Sequence, residues 1–310
     1  MSVLVLGGYG AVGAHLVRLL RAQDIPVITA GRDPARADRV VDLTEPERVG
    51  EALAGVATVV NCAGTEDIRL AEACADRGIV FVEISATTEY VRALEHVDGP
   101  VVLGVGLAPG LTTLLAVDLL ARDRAPVDIM IGLGSGEQHG AAATAWTYRL
   151  LGQRFADADG TRIRNFTEPA RFPIPSPAGY PRFPALRADF ADQHRLTREF
   201  AVPVRSYLRM DSRLATAGLA ALTWAPALRV LTPRHMPGGD RWVIVARSAD
   251  GRTNSATGRG QSLATAAVAA ATVKEVARHR ITAPTWIHQV LELGPLRRDL
   301  TARGIVEPSP

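Results

Sequence analysis

Apolar and polar positions in the first hundred residues alternate at the period of a parallel α/β sheet. Continuous apolar runs, the pattern of strands buried on both faces, fall at Val3–Leu6, Pro26–Ala30, Arg39–Leu43, Ala57–Asn61, Ile79–Glu83 and Val101–Leu103. Helical spacing occupies His15–Leu20, Glu45–Leu53, Ile68–Asp76 and Thr88–His96, and a helix over Leu111–Arg122 follows Pro109-Gly110. This alternation predicts a Rossmann-type doubly wound α/β domain over residues 1–122.

Past residue 125 the pattern changes. Val127–Leu133 is an extended apolar run, Ala141–Leu151 has helical spacing, and Phe172–Pro184 is too rich in proline for anything but loop or sheet edge. Val204–Met210 and Trp242–Ser248 read as strands, and Asp250-Gly251 predicts a hairpin between Trp242–Ala249 and Arg252–Thr257. Residues 123–260 are therefore expected to form a second α+β domain for substrate and dimerisation, built on a mixed, largely antiparallel sheet. Residues 261–310, led by the helix Leu263–Arg278, are expected to pack back on the first domain.

The chemistry concentrates at the N-terminus. Val3–Leu6 runs into Gly7-Gly8-Tyr9-Gly10-Ala11-Val12-Gly13 and then into His15–Leu20. A strand, a glycine turn and a helix in that order let backbone N–H groups approach a diphosphate at the positive end of the helix dipole. The spacing Gly7-x-x-Gly10-x-x-Gly13 departs from the commonest dinucleotide fingerprint, but Gly8 keeps the intermediate position open. Thr29-Ala30-Gly31-Arg32-Asp33 ends the second strand, where an arginine pairs with a 2′-phosphate and an acid holds a free ribose. Arg32 makes NADP the expected cofactor and NAD the alternative. Asp33 either contacts ribose or caps the helix after Pro34. Asp42-Leu43 ends the third strand and borders the expected adenine, and Cys62-Ala63-Gly64 forms a small-residue passage after Asn61. Glu83, Ser85 and Tyr90 lie at or after the end of the fifth strand, on the side where open sheets bind ligands.

Composition narrows the alternatives. The chain has 310 residues, 47% hydrophobic, with a net charge of +3. Its basic residues are scattered arginines with one lysine, Lys274, so no basic stripe points to nucleic acid. With that single lysine, no Tyr-x-x-x-Lys dyad exists: Gly13, Leu94, Gly152, Pro184 and Asp211 stand four residues after the tyrosines. Cys62 and Cys74 suggest neither a disulfide framework nor a metal knuckle. Leu214–Leu228 is too short to span a bilayer and contains Pro226, so stable membrane insertion is not expected. A cytoplasmic protein without bound metal, taking a small-molecule substrate and forming a homodimer, is the expectation.

Several of these segments are similar to the saccharopine dehydrogenase-like (saccharopine reductase) oxidoreductases. The resemblance rests on the Gly7–Gly13 turn, Ala30-Gly31-Arg32, Val60-Asn61-Cys62-Ala63-Gly64, the run Cys74-x-x-x-Gly78-x-x-x-Val82-Glu83-Ile84-Ser85, and Gly106-Leu107-Ala108-Pro109-Gly110-Leu111. It implies that Pro109 and Gly110 lie close to the nicotinamide, and that the chain transfers hydride to or from a C=N bond. It covers about the first 120 residues; the shorter substrate region leaves the substrate open. An enoyl or carbonyl reductase on apolar, carrier-bound substrates, and a non-catalytic NADP(H) sensor, are the alternatives. Outside the cofactor turns, Gly134-Ser135-Gly136-Glu137-Gln138-His139-Gly140 carries an imidazole suited to proton donation near neutral pH, so His139 is the catalytic candidate. Trp146 and Tyr148 either line a pocket or belong to the core. Asp189–Arg195 either binds a polar substrate or starts a solvated helix.

Overall fold

The computed structural model describes residues 2–45, 49–136, 141–175, 182–227 and 238–308. The chain forms two compact units, Met1–Leu111 with Ser262–Glu292, and Thr112–Gln261 with Leu293–Pro310.

The first unit alternates strand and helix from its start: β1 (Ser2–Leu6), α1 (Gly13–Arg21), β2 (Val27–Gly31), β3 (Arg39–Val40), α2 (Val49–Ala52), β4 (Val56–Asn61), α3 (Ile68–Ala75), β5 (Val80–Glu83), α4 (Thr88–Leu94) and β6 (Val101–Leu103). The second unit begins at α5 (Thr112–Leu120) and continues through β7 (Val127–Leu133), α6 (Ala141–Leu150), β8 (Arg154–Ala156), β9 (Arg162–Arg164), β10 (Leu186–Arg187), α7 (Ala191–Phe200), β11 (Val204–Met210), α8 (Arg213–Leu222), β12 (Arg241–Ser248) and β13 (Thr253–Arg259). Helix α9 (Gln261–Val276) and β14 (Thr285–Trp286) return the chain to the first unit, and α10 (Leu293–Ala302) rejoins the second.

The first sheet has the order β14-β6-β5-β4-β1-β2-β3 with every pairing parallel, and its helices make the doubly wound Rossmann arrangement. Leu4, Leu6, Val59, Val60, Phe81 and Val82 are completely or almost completely buried, which explains their continuous apolar runs. Strand order reverses between β1 and β4, so the C-terminal ends of these two strands flank the switch point where such sheets take ligands. Register there aligns Leu6 with Asn61 and Asn61 with Glu83.

The second sheet is mixed, order β10-β11-β7-β12-β13, with β11 and β7 parallel and the other pairings antiparallel. Gly251, at a φ of 91°, turns the hairpin between β12 and β13 as the Asp-Gly signal requires. Helix α5 lies against β7, β12 and β13.

Three expectations change in detail. The third strand stops at Val40 rather than Leu43, because the Asp42 carboxylate turns back to accept the N–H and hydroxyl of Thr44. The helix expected over Leu111–Arg122 starts at Thr112, since Ala108, Pro109 and Gly110 have non-helical backbone. In the apolar segment from Leu214, α8 buries Ala215, Thr216 and Leu219, while Leu214 and Trp224 stand exposed. Among the described residues, no helix is long and apolar enough to cross a membrane.

Candidate cofactor site

The glycine turn after β1 is packed backbone to backbone. A Cβ on Gly7 would lie 2.8 Å from Ala63 Cα and 2.9 Å from the Cys62 carbonyl oxygen, and Gly7 holds a φ of 70°. A Cβ on Gly13 would lie 2.2 Å from the Gly7 carbonyl oxygen. Thus the turn at Gly7–Gly13 and the turn at Cys62–Gly64 meet at the switch point without side chains between them. Gly10 N–H closes the first turn on Gly7 O at 2.9 Å, and Cys62 N–H ties the second to Leu6 O at 3.0 Å.

Helix α1 rises from this turn with no side-chain cap and no acidic residue in its first turn. The Gly10 and Ala14 amides close on Gly7 O and Gly10 O, and the uncapped start of α1 offers its dipole and its other first-turn N–H groups to an external anion. The residues present therefore fit a dinucleotide's diphosphate: glycines packed backbone to backbone at an uncapped helix start.

At the end of β2, Tyr9 reaches across from the glycine turn. Its ring covers Gly31, where a Cβ would lie 2.4 Å from the phenol oxygen. The phenol oxygen accepts the Asp33 N–H at 2.9 Å, and the Arg36 guanidinium stacks 4.4 Å from the ring centre. Asp33 is committed to the turn, its carboxylate accepting Ala35 N–H at 2.9 Å. Arg32 stays exposed beside it. The N–H and hydroxyl of Thr44, with the Arg32 charge adding to them, hold the Asp42 carboxyl below the usual carboxylate range. Leu43 next to it is half-buried.

Beyond β4 and β5 lies a buried polar network. Glu83 is 1% exposed and accepts hydrogen bonds from Asn61 Nδ2 at 2.7 Å, Ser85 N–H at 2.7 Å and the Tyr90 hydroxyl at 3.0 Å. Burial pushes the Glu83 carboxyl up to about 7 despite these donors, and Glu66 adds to the rise. Glu66 is anchored in turn by the hydroxyls of Ser85 at 3.1 Å and Thr87 at 2.5 Å. Asn61 also reaches the Cys62–Gly64 turn: its Oδ1 accepts Ala63 N–H at 3.3 Å, and its Nδ2 donates to Thr65 O at 2.9 Å.

After β6, the turn containing Pro109 and Gly110 folds over α9. Leu111 N–H bonds Gly106 O at 2.9 Å, and Leu107 N–H meets Thr265 Oγ1 at 3.3 Å. Val105 N–H bonds Glu83 O at 3.1 Å, which joins this stretch to the Glu83 strand end.

The fold thus brings Gly7–Gly13 against Cys62, Ala63 and Gly64, with Ser85 tied to the same strand-end network. Arg32, Asp42 and Leu43 gather at the β2 end of the sheet. His139, with Glu137 and Gln138, lies outside the described residues. Asp189–Arg195 is not a solvated helix start. Within the second unit Asp192 is buried under the hydroxyls of Thr112 and Thr113, at 2.6 and 3.2 Å, Gln193 is buried, and His194 pairs with Asp189 at 2.6 Å. Trp146 packs on Phe190, ring centres 4.8 Å apart. The parts of the site that spacing alone misses are Asn61, Glu66 and Arg36. Only Asn61 carried a signal, a polar residue closing an otherwise apolar strand.

Residues 3–73 match the model of the NAD dependent epimerase/dehydratase family. No curated protein matches the chain. Among solved structures, it is similar to a UDP-N-acetylglucosamine 4-epimerase from Bacillus cereus (26% identity, 29% of this chain and 42% of that one, TM-score 0.25). It is also similar to the 3-alpha-hydroxysteroid dehydrogenase of a Pseudomonas species solved with NADH (21% identity, 40% and 53% covered, TM-score 0.23). Aspartate semialdehyde dehydrogenase II of Vibrio cholerae matches more of the chain (12% identity, 79% and 73% covered, TM-score 0.36). The chain spans about two fifths of the length of the epimerase.

Proposed function

We propose that the protein is an NADP(H)-dependent oxidoreductase of the saccharopine dehydrogenase-like type, transferring hydride to or from a carbon–nitrogen double bond. The observation that carries this reading is the side-chain-free junction of Gly7, Gly13 and Ala63 in front of an uncapped helix α1. Hydride chemistry is what a bound nicotinamide supplies; the protein's part is to bind, orient and balance charge. Gly7–Gly13 takes the diphosphate on backbone amides. Cys62, Ala63 and Gly64 leave room for the cofactor backbone beside it, and Ser85, Pro109 and Gly110 border the nicotinamide end. His139 supplies the proton that completes reduction.

Arg32 selects the 2′-phosphate as the exposed guanidinium at the end of β2, with Asp33 Oδ1 holding the turn by accepting Ala35 N–H. Arg32→Ala is expected to weaken NADPH by about 10- to 100-fold, the loss of a charged hydrogen bond, and NADH by less than about 3-fold. Equal weakening of the two nucleotides would remove the assignment. Turnover is tested by the loss of NADPH absorbance with imines, keto acids plus amines, and enoyl thioesters. Activity confined to enoyl thioesters would replace the C=N reading. His139→Ala should lower turnover at least ~100-fold, the range of a general acid, and leave NADPH affinity unchanged.

A further inference from the structure

Glu83 accepts the N–H of Ser85 directly, but it bonds neither glycine turn itself. Its link runs through Asn61. The carboxylate accepts from Asn61 Nδ2, the same side chain's Oδ1 holds Ala63 N–H, and Ala63 Cα is the surface against which Gly7 packs. Register places Leu6, Asn61 and Glu83 side by side on adjacent strands, so the relay crosses the switch point by the shortest route.

We infer that Glu83 is a positioning residue for the dinucleotide: its ionised carboxylate orients the Asn61 amide, which fixes the Cys62–Gly64 turn against Gly7. The inference rests on the cofactor reading above. All three partners of the carboxylate are donors, and Ser85 N–H and Asn61 Nδ2 have no accepting atom to offer in return. Only the Tyr90 hydroxyl can turn round to accept a proton's bond. A protonated Glu83 has one acceptor position fewer, so the Asn61 amide, left with Thr65 O and Ala63 N–H as its firm partners, is held less tightly.

The groups facing this carboxyl are few. Tyr90 comes from α4, Cys62 follows β4 and Glu66 lies further along the same loop. Helix α3 turns Leu70, Ala71 and Cys74 inward, and β6 contributes only Val101, Val102 and Leu103. Burial pushes the Cys62 thiol and the Tyr90 phenol upward, away from the neutral range. Glu83, up at about 7, is the group placed to titrate there. Through-space charge and geometry then oppose each other in sign. Removing a negative charge would tighten an anionic nucleotide on acidification, whereas releasing the turn loosens it.

The test is a titration of NADPH and NADH between pH 6 and 8.5 on the wild type and Glu83→Gln, with the backbone amide resonances of residues 62–64 followed without nucleotide. In the wild type, affinity should fall about 5-fold on acidification relative to the variant, the scale of one hydrogen bond to a charged group. The Ala63 amide should shift with a midpoint near 7. Glu83→Gln should bind weakly with no such titration; comparing the two proteins on one nucleotide cancels the nucleotide's own phosphate titration. Tyr90→Phe removes one donor and should move the midpoint upward, which keeps the test open if Glu83→Gln fails to fold. Parallel pH profiles, tighter wild-type binding at low pH, or an unmoved midpoint in Tyr90→Phe would overturn the inference. Absence of any nucleotide binding by the wild type would instead overturn the cofactor reading, and the Ala63 resonance would still report on the relay.

Discussion

Gly13→Ala is expected to raise the Kd for dinucleotide at least ~100-fold, the scale of a 1 Å misplacement in an oriented site, and to destabilise the first unit by about 1–3 kcal/mol, as overpacking does. The new methyl carbon would lie 2.2 Å from Gly7 O and 2.9 Å from Gly7 C, both backbone atoms that no rotamer change can move. Relief requires shifting the first turn of α1 away from β1, which opens the cradle and turns the helix amides from the anion. Gly10→Ala is the matched control. Its Cβ would meet Gly7 O at 3.2 Å, so a shift of a few tenths of an ångström suffices, and a loss of about 2- to 5-fold is expected. Nucleotide fluorescence titration and thermal unfolding separate the two outcomes. Equal effects from both alanines would mean that the turn does not hold the nucleotide by close backbone approach.

Asp157→Ala should destabilise the second unit by about 3–5 kcal/mol, the cost of removing the carboxylate from a buried ion pair. Asp157 follows β8 and receives both terminal nitrogens of Arg187 at 3.1 Å, with Arg205 at 3.4 Å. The Arg187 side chain is 1% exposed, its guanidinium held between the rings of Phe155 and Tyr207 at 5.3 and 5.4 Å. Replacing Asp157 and Arg187 together, by Ala and Met, should recover a large part of the loss, because the buried guanidinium is gone and Arg205, which also loses Asp157, is about one third exposed. The pH dependence follows from the same pair. Burial pushes the Asp157 carboxyl up, but Arg187 and Arg205 outweigh it and hold it below its ordinary 3.8. Its contribution is therefore complete above that value and is lost as pH falls through the lower, folded-state pKa. Chemical denaturation of the variants at pH 7 and pH 3 checks both statements. If the double variant is as unstable as Asp157→Ala, the cost lies in packing rather than in the stranded guanidinium.

What the sequence made legible was what backbone sterics and burial dictate locally. Gly7–Gly13 could be read because close approach of two main chains leaves no residue but glycine at Gly7 and Gly13. The inner strands β1, β4, β5 and β6 could be read because burial on both faces leaves largely apolar runs. The hairpin β8–β9 contains the same Asp-Gly signal, at Asp159-Gly160, that marked Asp250-Gly251, but each strand is three residues long with a single buried apolar residue, Phe155 or Ile163, too short to establish an alternation. It was accordingly missed. Strand β14 is two residues long and shows no periodicity to read. The Glu83 network and the burial of Asp192 depend on strand register and on partners 22 and 80 residues away, which spacing along the chain does not encode.

The first sheet is closed at one edge by β14, paired with β6 through Thr285↔Val102 and Trp286↔Leu103. Synthesis must run through Trp286, more than 180 residues past β6, before that edge is covered. Until then a nascent Rossmann sheet shows the bare amides and carbonyls of β6 to its surroundings, an invitation to pair with another chain. Cutting the gene after Leu111 would make that transient state permanent, so a self-standing first unit calls for a deletion variant in which a linker replaces residues 112–261 and joins residues 262–292 to Leu111.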